Sequence, residues 1–252
     1  MRRSITFVFL TIHLVIPAFS QISSEHKSKP VIEKAAKLPE MVRTETPVQT
    51  VFYQAAIRAN EKVVFIGDSI TLLWPLGVSF PQMSSYINRG VGGETTISIM
   101  ARFQADVTDL HPRVVVILAG TNDIAGFSGP MTIEQTRDNL DVMARSAAEN
   151  GIRVVLSSVM PVNDYCFDPD GNRYINTVQR PPAQILALNQ LIRTYAEQNR
   201  IPYIDYHAAM VDADGFMRIG LTFDGLHPTA AGYAVMAPLA LSGIRSALKR
   251  KR

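Results

Sequence analysis

Cysteine is nearly missing from this chain: Cys166 is the only one among 252 residues. No internal disulfide is therefore available, and stability must come from a packed core, for which this length is ample. A net basic surface is missing too. Setting aside Arg2 and Arg3 in the apolar N-terminal segment leaves 23 basic against 22 acidic residues; four of the 23 are Lys249 to Arg252, so the body carries 19 against 22. That balance excludes the basic footprint of a nucleic-acid binder. Paired-cysteine and His-Glu-x-x-His spacings are absent, which leaves Asp205, His207 and His227 as the only candidate metal ligands and disfavours a metal centre. Internal repeats and low-complexity runs are also absent. The longest apolar run, Ile5 to Ile16, stops at Pro17, short of the roughly 20 residues that span a bilayer.

What the N-terminus does have is Arg2-Arg3, that apolar run, and the small residues Ala18 and Ser20 before Gln21, the pattern of a cleavable signal peptide. Residues 1–20 are expected to be removed, which predicts a secreted or periplasmic protein without stable membrane insertion. No cysteine near the cut provides for a lipid anchor. Residues 21–47 read as a spacer, and 48–252 as the domain.

Within the domain, short runs rich in Val and Ile alternate with longer amphipathic stretches. Strands are predicted at Lys62 to Ile66, Ser85 to Asn88, Val114 to Leu118, Arg153 to Ser157 and Tyr203 to Asp205. Helices are predicted at Val48 to Ala59, Thr95 to Ala105, Thr132 to Asn150, Pro182 to Gln198 and Thr229 to Leu248; Thr132 with Gln135 forms a capping box, and Asn150-Gly151 a stop. The alternation predicts an α/β fold with a central parallel sheet covered on both faces.

In such a sheet, ligands bind beyond the carboxyl ends of the strands, and polar or glycine-rich blocks stand there: "GDSIT" from Gly67, "NRGVGGETT" from Asn88, "GTND" from Gly120 and "DGLHP" from Asp224. Ser69 is a weak nucleophile unless a base takes its proton, and that base works best when a carboxylate orients it. His227 and Asp224 supply both. Gly225 discourages a helix between them, and Pro228 pushes His227 out of the α region, so the imidazole is expected on a turn, within reach of Ser69. Backbone N–H groups at Gly92 or Gly93 and the Asn122 amide are suitable donors to an oxyanion.

These four blocks, in this order, resemble the SGNH or GDSL hydrolase family over the span from about Lys62 to the last helix. The resemblance implies a flavodoxin-like three-layer α/β/α sandwich with five parallel strands. It implies Ser69, Asp224 and His227 as a catalytic triad, and Ser69 N–H, Gly93 N–H and Asn122 as the oxyanion hole, with no metal and no cofactor. Ile70 departs from the family's usual leucine. The expected activity is hydrolysis of short-chain acyl esters, with acetyl groups on a carbohydrate favoured; the partner is then a small-molecule or glycan ester. A lysophospholipase or short-chain lipase is the alternative within the family, and a non-catalytic glycan-binding module is the alternative outside it.

Blander readings compete at several positions. Asp68-Ser69 also suits a helix cap, and Asn122 and Asp123 suit a turn. Gly90-Val91-Gly92-Gly93 would need a glycine at Thr95 to match a dinucleotide fingerprint. Trp74 either walls the site or packs in the core, and Cys166 lacks the surroundings of a nucleophile. The long turn-rich segment Pro161 to Pro182, with Tyr165, Phe167 and Tyr174, is either a solvated excursion or a determinant of substrate choice.

Overall fold

A computed structural model describes residues 61–250. The expected signal segment, the spacer, the helix at Val48 to Ala59 and the last two residues of the basic tail lie outside the described residues.

Five runs of adjacent apolar or mixed residues form strands: β1 (Val63–Gly67), β2 (Tyr86–Gly90), β3 (Val114–Leu118), β4 (Arg153–Ser157) and β5 (Tyr203–Ile204). All pair in parallel, in the order β2-β1-β3-β4-β5. That order makes the sheet flavodoxin-like, with its switch point between β1 and β3. Every residue of β1 and β3 is buried, because helices cover both faces and leave no position for a polar alternation. Burying each Val, Ile or Leu there contributes roughly 1.5–3 kcal/mol.

The helices are α1 (Ser69–Leu72), α2 (Leu76–Ser79), α3 (Thr96–Asp106), α4 (Thr121–Ile124), α5 (Ile133–Glu149), α6 (Pro182–Gln198), α7 (Tyr206–Met210) and α8 (Ala230–Lys249). One sheet face carries α3, α5 and α6, packed on one another; the other carries α8, which lies across β3, β4 and β5 and meets α2 and α7. The capping box at Thr132 and Gln135 forms, and Asn150 ends α5.

Three strands differ from their expected bounds: β1 starts and stops one residue later, β2 also starts one residue later, and the ends of β2 and β5 move for local reasons. β2 runs on through Arg89 and Gly90, which pair with Ile66 and Gly67 of β1. β5 stops before Asp205, whose carboxylate caps α7 by accepting from Ala208 N–H. Trp74 belongs to the core: it is 3% exposed, donates from Nε1 to Ser79 Oγ and packs against Phe65, Phe80, Tyr206 and Tyr233.

Candidate active site

Where β1 ends, the chain turns directly into α1. Asp68 is the N-cap and accepts from Ile70 N–H at 2.9 Å, so the cap reading holds for Asp68 while Ser69 occupies the first helical position. The far end of this single turn is also fixed: Asn88 Nδ2 donates to the carbonyls of Thr71 and Trp74 at 2.6 and 3.1 Å, and Tyr233 OH donates to Ile70 O at 2.8 Å. Four residues make a marginal helix in isolation; here side chains from β2 and α8 hold it.

Ser69 Oγ lies 2.8 Å from His227 Nε2, and His227 Nδ1 lies 2.5 Å from Asp224 Oδ2. Asp224 Oδ1 accepts the backbone N–H groups of His227 and Leu226 at 2.7 and 2.9 Å. Burial pushes the Asp224 carboxyl up, but hydrogen bonds from His227 and Leu226 outweigh it and hold the group below the usual carboxylate range. An ionised carboxylate only accepts, which assigns the ring hydrogen to Nδ1 and leaves Nε2 to accept from the Ser69 hydroxyl.

The turn carrying Asp224 and His227 needs Gly225. Its φ is +88°, and a Cβ there would stand 2.2 Å from Asn163 O, too close for any side chain. Asn163 N–H in turn donates to Gly225 O at 2.9 Å, and Asn176 Nδ2 donates to both Asn163 O and Asp224 O at 3.0 and 2.9 Å. The segment Pro161 to Pro182 is thereby bonded to the turn that presents the histidine.

Asn122 stands on α4, after β3. Its Nδ2 donates to Glu94 O at 3.0 Å, which sets the amide against the Gly93–Glu94 segment. Gly93 has φ +76°, a left-handed conformation that side chains disfavour. The next residue of the same block, Asp123, accepts the backbone N–H and hydroxyl of Thr96 at the start of α3, so the "GTND" and "GGETT" stretches are locked together. Arg102 on α3 adds a second lock: it pairs with Glu94 at 2.6 Å and donates to Gly67 O and Arg89 O, the carbonyl ends of β1 and β2.

Two buried charged groups lie under the site. Asp68 is 1% exposed, and burial pushes its pKa up to about 7 although Ile70 N–H, His227 and Arg180 oppose the shift. Arg180, 3% exposed, donates to Thr121 Oγ1 and Asn122 Oδ1, each at 3.1 Å. Three exposed apolar side chains border the site residues. Leu72, Phe127 and Phe223 are each about half exposed, yet Leu72 reaches Gly92, Phe127 reaches Gly93, and Phe223 stacks on the His227 ring at 5.7 Å.

Of the expected residues, Ser69, Asp224 and His227 form one hydrogen-bonded chain, and Gly93 and Asn122 are joined through Glu94. The metal-ligand candidates part company: Asp205 pairs with Arg193, His207 is buried with its N–H on Ser158 Oγ, and His227 belongs to the chain above. Among the described residues no cluster of three or more His, Cys, Asp or Glu is arranged to hold a metal. Cys166 is half-buried; burial, followed by the charge of Asp224, pushes its thiol up, away from thiolate. Arg102, Asn163, Asn176 and Arg180 carry no motif signal. The Pro181-Pro182 pair, which starts α6, was the only local hint that Arg180 sits at a fixed point.

The pattern of the GDSL-like lipase/acylhydrolase family matches residues 65–235. A crystal structure of a GDSL-like lipase from Bacteroides thetaiotaomicron superposes with a TM-score of 0.66 at 34% identity, covering 79% of this chain and 97% of that one. The acetylxylan esterase of Geobacillus stearothermophilus is 24% identical over 209 residues, 72% of this chain and 92% of its own length. An uncharacterized lipoprotein of Bacillus subtilis is 27% identical over 143 residues, 51% of this chain and 57% of its own, so the chain spans little more than half of that relative. Sequence pattern, sheet order and a solved neighbour agree: this chain belongs to the GDSL-like lipase/acylhydrolase family.

Proposed function

We propose that this protein is an exported serine esterase that hydrolyses short-chain acyl esters, acetyl groups on a carbohydrate being the favoured substrate. The observation that carries the reading is the continuous chain Asp224 Oδ2, His227 Nδ1, His227 Nε2, Ser69 Oγ, with links of 2.5 and 2.8 Å. Ser69 Oγ attacks the ester carbonyl while His227 Nε2 takes its proton, and Asp224 stabilises the imidazolium. The oxyanion is held by Ser69 N–H, Gly93 N–H and Asn122 Nδ2. Ser69, first in α1, has an N–H with no acceptor inside the helix. Collapse breaks the ester C–O bond, and His227 returns its proton to the leaving alcohol. Water, deprotonated by His227, then attacks the acyl-enzyme carbonyl, the acyl C–O bond to Ser69 breaks, and His227 returns the proton to Ser69 Oγ. Protein groups handle every proton in this cycle, and no cofactor enters it.

The similarity to an acetylxylan esterase over most of that relative's length supports the acetyl-carbohydrate choice. Export rests on the N-terminal pattern of residues 1–20 and agrees with a lipoprotein among the relatives; among the described residues no helix is long and apolar enough to cross a membrane. A second reading, a short-chain lipase or lysophospholipase, is favoured by the half-exposed Leu72, Phe127 and Phe223 around Ser69, a rim suited to an alkyl chain.

The test is product release from p-nitrophenyl esters, acetate through decanoate, by the mature protein and by Ser69→Ala. Activity that falls with chain length and drops on the order of 10⁶-fold in Ser69→Ala supports the first reading. A maximum at longer chains moves the choice to the second. Turnover equal in both proteins removes Ser69 from the mechanism, and glycan binding without turnover would make the protein a binding module.

A further inference from the structure

Arg180 is a buried cation whose three hydrogen bonds go to neutral oxygens: Thr121 Oγ1 and Asn122 Oδ1 at 3.1 Å, and Gln179 Oε1 at 3.3 Å. Among the described residues it makes no ion pair with a carboxylate, and burying a guanidinium in that way is costly. Burial pulls its pKa below the usual guanidinium range, and the charges of Asp68 and Asp224 oppose that shift. Its backbone is pinned as well, with Arg180 N–H donating to Asn176 O at 2.9 Å, and Asn176 is the residue that also reaches Asp224 O. The Phe127 ring packs 5.5 Å from its guanidinium carbon and screens it from solvent.

The chemistry of its partner shows what this arrangement does. A primary amide has one acceptor end and one donor end, and either face is available unless neighbours distinguish them. Arg180 offers only donors, so it takes Oδ1 of Asn122. Glu94 O only accepts, so it takes one Nδ2 hydrogen. The amide is thus fixed in one orientation, with its second Nδ2 hydrogen left over. A charge-assisted bond at Oδ1 also draws electron density from the amide and strengthens Nδ2 as a donor.

We propose that Arg180 is the positioning residue of the oxyanion site: it locks and polarises the Asn122 amide so that the free Nδ2 hydrogen meets the developing oxyanion. The inference deepens the esterase reading and rests on it for Asn122's role. Arg180 itself acts through Asn122, without touching the substrate.

The experiment compares wild type, R180K, R180M, N122A and the R180M/N122A double variant. Two quantities are measured: kcat and KM on p-nitrophenyl acetate, and the rate of Ser69 labelling by a fluorophosphonate. In labelling, the Ser69 Oγ–P bond forms, the P–F bond breaks, fluoride leaves and His227 takes the proton. R180M should lower kcat and the labelling rate about 10- to 100-fold with KM within about 2-fold, and R180K should recover part of the loss. In the N122A background, R180M should cost less than about 2-fold more, since coupled residues are not additive. A full, additive loss on top of N122A, or an R180M enzyme as fast as wild type, overturns the proposal. If R180M does not fold, R180K decides: it keeps the charge but not the fork, and should lose kcat and not KM. If wild type neither turns over nor labels at Ser69, the esterase reading fails and the Asn122 side-chain amide NMR signal decides the inference. A resonance shifted and less protected from exchange in R180K upholds the lock, and an unchanged one overturns it.

Discussion

The ends of the strands and the segment between Pro161 and Pro182 border the same site, yet they are fixed by different forces. At the ends of β1 and β3 the backbone leaves a buried apolar sheet, so the positions of Ser69 and Asn122 are anchored by packing to which the polar contacts are added. Beyond the buried Val162 at its start, the loop has little apolar anchor. Phe167 is 62% exposed, and order comes from side chains that accept or donate to backbone. Asp168 Oδ1 takes the N–H groups of Asp170 and Asn172, and Asp164 takes those of Asn176 and Thr177 together with the Thr177 hydroxyl. Asn163, Asn176 and Arg180 then join the loop to the histidine turn and to Asn122. The sheet supplies rigidity by burial, whereas the loop supplies orientation by hydrogen bonds.

The largest expected difference between the regions is in stability. Leu156 in β4 is fully buried, and Leu156→Ala should destabilise by roughly 2–5 kcal/mol through lost packing and a cavity. Its kcat per folded molecule should stay within a factor of about two. A urea titration with an activity assay at low temperature measures both, and a large fall in kcat would show that the sheet does more than hold the site.

Opposite pH behaviour is expected of two carboxylates, one from each region. Asp68 has a folded pKa of about 7, raised by burial above its unfolded value of 3.8. The folded state therefore binds the extra proton between these values, and stability falls as pH rises through that window. Asp68→Asn keeps the cap oxygen; its stability relative to wild type should rise from pH 4 to about 7 and then level. In Asp164 burial is outweighed by hydrogen bonds from Thr177 and Asn176, and the carboxyl is held below its usual range. Its contribution is present above the unfolded value and lost as pH falls through the lower folded one, so Asp164→Asn should cost stability at pH 7 and progressively less in acid. Parallel curves for the two variants in thermal melts from pH 3 to 8 would erase the distinction.

A smaller effect is expected at Asn176, and on a different quantity. Asn176→Ala removes the donor shared by Asn163 O and Asp224 O. The stability cost should be about 1–2 kcal/mol, while kcat should fall about 10-fold because the His227 turn loses its brace. If Asn176→Ala behaves as Leu156→Ala does, the loop is scaffold and no more.

This division explains what could be read from the residues. The inner strands β1, β3 and β4 stand out as runs of Val, Ile and Leu because parallel strands buried on both faces need few polar positions, whereas the edge strands β2 and β5 hold only one Ile each. Four one-turn helices did not stand out, since α1, α2, α4 and α7 are four or five residues long and show no period. Ser69, Asn122, Asp224 and His227 sit in short blocks with recognisable glycines, so their grouping was legible. Arg180 is 58 residues from Asn122, and Arg102 reaches strand ends 35 and 13 residues away. A contact made by one long side chain across the fold leaves no local spacing to find. The loop's polar residues were visible, but only the folded chain shows which carbonyl each one meets.

The mildest prediction concerns selectivity. Tyr165 meets Phe216 edge-on at 5.8 Å, and Phe167 projects into solvent, so neither side chain is needed to hold the loop as Asn163 and Asn176 are. Tyr165→Ala and Phe167→Ala should leave folding almost unchanged, within the ±0.5 kcal/mol usual for surface positions. Their effect should appear in the ranking of esters by kcat/KM: a lost apolar contact of this kind is worth about 1 kcal/mol, a several-fold change for bulky alcohols or longer acyl groups and none for p-nitrophenyl acetate. A ranking identical to wild type across the ester panel would confine the loop's role to orienting His227 and Asn122, and would leave the half-exposed Leu72, Phe127 and Phe223 as the side chains that choose the substrate.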